Sequence, residues 1–286
     1  MTTTTPTTAD APQARRATFR DESPHRVTFG GVVRAEWIKL TSVRSIGWAI
    51  AIAVVITAGF GALAAFATLA TAPEGAIEQG LLSDIPVAAL GTSGMLVSQL
   101  VFAILGVIVI TGEYGSGQIR SSLTAVPRRL PVLGAKALVV GVATFVASAV
   151  SLAIGIAATI GIAVGYGIPI DDMGLDASVA FTVLGGAVYL ALLTVFALGV
   201  GALVRSGAGG IAIALGVLLV LPVVVGLVPF EWVQEASPYL LPNSGMTISM
   251  PGAEVGGDFW RALAVTAAWP TAALLGAAAA LTKRDA

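Results

Sequence analysis

Residues 46–69 read IGWAIAIAVVITAGFGALAAFATL, a stretch without one charged side chain. A helix rises about 1.5 Å per residue, so roughly 20 such residues cross the ~30 Å hydrocarbon core of a bilayer. Five more runs follow outward from it: 90–111, 132–168, 178–204, 211–228 and 262–281, with Lys136 the lone charge near the start of the third. Backbone amides in lipid must be bonded within their own segment, so each run predicts a helix. Barrel strands would alternate polar and apolar residues in segments of about ten, and these runs do not.

The whole composition agrees. Of 286 residues, 56% are hydrophobic and 11% charged, against roughly 45–50% and 25% in soluble domains. A water-soluble core of this size and a disordered chain are both excluded on that ground. The net charge of −1 removes the electrostatic footprint of a nucleic-acid binder. Cysteine is absent and His25 is the one histidine, so neither a thiolate site nor a His-rich metal site is available, and no cofactor is expected. Residues 1–27 are polar, rich in Thr, Pro, Ala and Arg, and lack an apolar signal-peptide core. They read as a disordered tail ahead of one domain over 28–286.

Charge sets the topology. If the runs alternate in direction, 14 of the 15 basic residues fall on one side, leaving Arg261 opposite, while 10 of the 16 acids gather with Arg261. Basic residues flank cytoplasmic ends of spans. The expectation is six transmembrane helices with both termini cytoplasmic. No Asp, Glu, Lys or Arg occupies the middle third of any run, which argues against an ion-coupled carrier. Gln99 is the mid-membrane polar group and is expected to bond a neighbouring helix. Gly161 and Gly165 offer a GxxxG spacing for close helix approach.

Two elements lie on the basic side. In residues 28–40, TFGGVVRAEWIKL, Val33, Trp37 and Leu40 share a helical face, with Arg34, Glu36 and Lys39 around it. This predicts an amphipathic helix on the inner leaflet, its Arg34 and Lys39 reaching headgroups. In residues 111–129, TGEYGSGQIRSSLTAVPRR, glycines are expected to end the second span. A short helix should run over about 117–125, and Pro127 should help stop it.

Together these residues resemble the membrane subunit of type-2 ATP-binding-cassette (ABC-2) exporters. The likeness is carried by Glu113-Tyr114, Gly117, Arg120, Leu123-Thr124, Pro127-Arg128-Arg129 and Lys136, and by the closing 281–285, LTKRD. It implies that the first helix, with Arg34, Glu36, Trp37 and Lys39, is an elbow helix. It further implies that the loop after span two is a coupling helix docking on an ATPase. Glu113 and Tyr114 match the acid-containing start of that loop, Gly117 its glycine, and Pro127, Arg128 and Arg129 its end; Arg120 falls within it. Many members carry a second acid and a Thr where this chain has Gly115 or Ser116 and Gln118. The resemblance also implies short extracytoplasmic helices between the last two spans, for which 229–251 is available.

No G-x-x-x-x-G-K-[ST] loop occurs in these residues, so ATP hydrolysis is expected of a partner subunit, not of this chain. The implied assembly pairs two permeases, identical or sister chains, with ABC ATPase subunits in a bacterial cytoplasmic membrane. The expected cargo is amphipathic or lipid-like, because the spans are apolar and uncharged. A non-transporting membrane scaffold or sensor is the alternative.

Overall fold

The computed structural model describes residues 28–73, 75, 87–117, 129–250 and 255–283. All regular elements among them are helical, and six helical segments are long and apolar enough to cross a membrane. The tail over 1–27, the expected coupling helix with Arg120, Pro127 and Arg128, and Arg284-Asp285 lie outside the described residues. Arg129 is described in its backbone.

Helix α1, Phe29–Ser42, is opened by Thr28, whose hydroxyl accepts the Gly31 amide at 3.2 Å. Span one is α2, Arg44–Ala70. Span two is split into α3, Val87–Thr92, and α4, Met95–Gly115. A Cβ on Gly94 would stand 2.1 Å from the Thr57 carbonyl oxygen of α2, so the backbones touch where the helix interrupts itself. Span three is α5, Arg129–Gly165, and its 37 residues make a rod of about 55 Å. That exceeds the ~30 Å hydrocarbon core, so α5 protrudes. Val132 and Ala135, from its first turns, pack against Val32 of α1.

Span four is α6, Ala177–Val204, started by Asp176, whose carboxylate accepts the Ser178 amide at 2.8 Å. Hydrogen bonding from the Ser178 hydroxyl, and then from its amide, lowers the Asp176 carboxyl from its ordinary value. Span five is α7, Gly207–Leu215, then a π-turn, Gly216–Val220, then α8, Leu221–Leu227. A short helix α9, Glu231–Gln234, and a 3-10 turn, Ser237–Tyr239, lead to α10, Leu241–Ser249. These occupy the segment where short helices were expected. Span six is α11, Gly257–Lys283.

The bundle is built around α6, on which α4, α5, α7, α10 and α11 all pack. Its Leu190, Leu193, Ala197 and Leu198 are wholly enclosed. In lipid there is no water to drive helices together, so close van der Waals packing must do so. Hydroxyls inside the spans bond back to carbonyls one turn earlier: Thr57 to Ala53, Thr144 to Val140, Ser148 to Thr144, Thr194 to Leu190. The GxxxG pair makes no such packing. A Cβ on Gly161 or Gly165 would meet nothing within 4 Å, because that end of α5 turns those positions away from its neighbours.

Helix α10 is wedged into the bundle. Leu241, Ser244, Gly245, Ile248 and Ser249 are buried. Gly245 lies so near the Tyr189 ring that a Cβ would stand 2.0 Å from it. The Tyr189 hydroxyl donates to Gln99 Oε1 at 2.5 Å, so Gln99 bonds a neighbouring helix as expected. The Ser244 and Thr266 hydroxyls lie 3.0 Å apart, and Trp269 Nε1 donates to the Tyr239 carbonyl at 3.1 Å, fastening the wedge to α11.

Candidate functional site

Four ionic side chains meet where α1, the end of α4 and the start of α5 converge. Lys136 Nζ donates to Glu36 Oε2 and, at 2.9 Å, to Glu113 Oε1. Lys39 Nζ donates to Glu36 Oε1 at 2.8 Å and to Glu113 Oε1 at 3.3 Å. Glu36 and Lys136 are each 4% exposed and Glu113 8%. Two carboxylates and two ammonium groups cancel, which is the condition for burying charge at a membrane boundary.

Each member is aimed by its helix. Glu36 shares the α1 face of Val32, which packs on α5. Glu113 sits in the last turn of α4, and Gly112 before it continues the helix rather than ending it. The helix stops at Gly115, and Gly117 takes the left-handed φ of +70°. Lys136 lies two turns into α5, opposite both acids. Burial alone would lower the Lys39 pKa. Its hydrogen bond to Glu36 and the charges of Glu113 and Glu36 outweigh that and hold it above the usual lysine value.

One expectation changes here. Lys39 was expected to reach headgroups, and its ammonium instead joins the clasp, because two carboxylates stand within reach. The inward face of α1 is Val32 and Glu36, while Trp37 remains 46% exposed. Arg34 is exposed.

Of the expected coupling residues, Glu113 and Tyr114 fall at this junction. The Tyr114 ring lies under the Arg205 guanidinium, 5.6 Å from its centre. Arg205 ends α6 in the left-handed region with φ 58°. Glu113 and Lys136 stand at the two feet of segment 118–128. Pairing of Glu36 with Lys136 was not read from sequence. The available signal was Lys136 itself, a single charge inside an apolar run, which demands a buried partner. Among the described residues no cluster of three or more His, Cys, Asp or Glu could hold a metal ion.

Six membrane-length helices, with ion pairs joining α1, α4 and α5, define a multi-pass membrane protein. The chain belongs to the ABC-2 family of transporter proteins, whose family model matches residues 32–221, from α1 to the start of α8. It is accordingly the membrane permease of an ABC transporter. No curated protein matches the chain closely enough to count as a relative.

Proposed function

We propose that this permease couples to a separate ATPase subunit through segment 118–128, and that the clasp of Glu36, Lys39, Glu113 and Lys136 carries the subunit's motion into the spans. The observation that supports this most is the position of Glu113 and Lys136. They bracket the segment, yet bond to each other and to α1. A push on the segment therefore moves α1, α4 and α5 together. Buried ion pairs suit this role, since their geometry is directional and breaking one leaves an uncompensated charge.

Two permeases with two ATPase subunits form the working assembly, in a bacterial plasma membrane. The cargo is amphipathic or lipid-like and moves outward. Uncharged span interiors support the cargo class, and the ABC-2 exporter likeness supports the direction.

The test is a pull-down from detergent-solubilised native membranes, scored for a nucleotide-binding subunit with vanadate-sensitive ATPase activity. Glu113→Ala and Arg120→Glu are then compared with wild type. Both variants should insert normally and lose most of the permease-stimulated ATPase rate. Recovery of the chain without an ATPase, or full stimulation in both variants, would overturn the reading in favour of a scaffold or sensor.

A further inference from the structure

A cavity of about 270 Å³ opens beside the clasp, far larger than one water molecule needs. Its lining is divided by chemistry. Glu36, Lys39, Glu113 and Lys136 contribute charge, Ser42 and Ser45 hydroxyls, and Ile46, Ile108, Val109, Val139 and Val140 apolar surface. Two of its apolar lining residues are exposed, Ile108 at 48% and Val43 at 43%. Along α4 the wall runs from Ile108 to Gly112 and Glu113, about one helical turn, from apolar to charged.

We infer that this cavity binds the headgroup of an amine-bearing zwitterionic phospholipid from the surrounding leaflet. Two features set the headgroup's polarity. All bonds to Glu113 from described residues fall on its Oε1, which leaves Oε2 of a buried carboxylate for a primary ammonium. Such a pair is a charge-assisted hydrogen bond, which a quaternary choline, lacking N–H, cannot form. Of the lining residues, Ser45 and Ile46 belong to the first turn of α2, a 27-residue helix without a side-chain cap, and Val43 stands just before it. The first amides of a helix have no intrahelical acceptor and favour an anion; Ile46 N–H donates back to the Val43 carbonyl and the Ser42 hydroxyl to the Lys39 carbonyl, so the amides ahead of Ile46 and the Ser45 hydroxyl remain for the lipid phosphate. The clasp is neutral overall, so it selects a zwitterion over an anionic lipid. The acyl chains leave past Ile108 and Val43, which is why the ligand is a lipid and not a free phosphate ester.

The test is native mass spectrometry of the delipidated full chain in mild detergent, with equimolar phosphatidylethanolamine, phosphatidylcholine and phosphatidylglycerol. Glycerophosphoethanolamine serves as the tail-free control. It needs no ATPase, so its failure is distinguishable from failure of the coupling reading. One phosphatidylethanolamine should be retained per chain, roughly ten-fold over the other two lipids, as a single charge-assisted bond implies. The control should not be retained. Ser45→Phe on α2 and Ile108→Trp on α4 each enlarge a lining side chain, on two different helices. At least one should fold with unchanged melting and lose the adduct. Equal retention of all three lipids, preference for phosphatidylglycerol, retention of the control, or an undiminished adduct in both variants would overturn the inference.

Discussion

At the scale of single residues, Lys136 has the largest consequence. Its side chain is 4% exposed, and its ammonium bonds two carboxylates. Lys136→Met should lower stability by about 3–5 kcal/mol, because Glu36 and Glu113 would then share Lys39 alone. Adding Glu36→Gln should recover over half of that loss, and melting of the single and double variants in detergent measures it. A second expectation concerns pH. Lys39 has a folded pKa above its ordinary value of 10.5. Its contribution is therefore complete at neutral pH and lost as pH rises through the folded value. Melting temperature followed upward from pH 9 should fall through and beyond the lysine range, and Lys39→Met should blunt that fall.

At the scale of elements, the wedge α10 depends on one missing side chain. Gly245→Ala puts a Cβ 2.0 Å from the Tyr189 ring, an overpacking that costs about 1–3 kcal/mol. Tyr189→Leu leaves Gln99 without its donor, yet should make Gly245→Ala less costly in that background. A double-mutant cycle on melting would detect the non-additivity. The helices themselves were legible from uncharged runs, since lipid admits few other structures. Their ends were less so. Span two was read as one run over 90–111, and it is one apolar span over Val87–Gly115; its start at 87, the turn at 93–94 and the close approach of Gly94 to Thr57 are features of the fold that the run does not show. The π-turn in span five has a local mark in Pro222, whose missing backbone donor interrupts the helical ladder just after it, and Gly216 opens the turn. Of the clasp, Glu113 was legible through its place before the loop. Glu36 and Lys136 are 100 positions apart, and their meeting depends on how α1 lies on α5.

At the scale of the whole molecule, the uneven charge distribution makes a topological prediction. The chain has no cysteine, so single reporters can be placed at will. With intact cells, Glu235→Cys should react with a membrane-impermeant maleimide, and Ser116→Cys should react only after permeabilisation. The reverse pattern would invert the positive-inside assignment and place the clasp outside.

The length of α5 has a mechanical corollary. Its one proline, Pro131, lies in the first turn, so the remainder can behave as a stiff beam. Near one end it carries Lys136, and near the other Ala163 packs with Leu69, Val87 and Met173 at the opposite surface. Pivoting a ~55 Å beam by about 5° about its midpoint displaces each end by roughly 2.4 Å in opposite senses. A tug on the clasp would thus reach the far surface reversed in sign. Slackening on one side of the membrane and tightening on the other would be a single movement, with no separate signal passing between them.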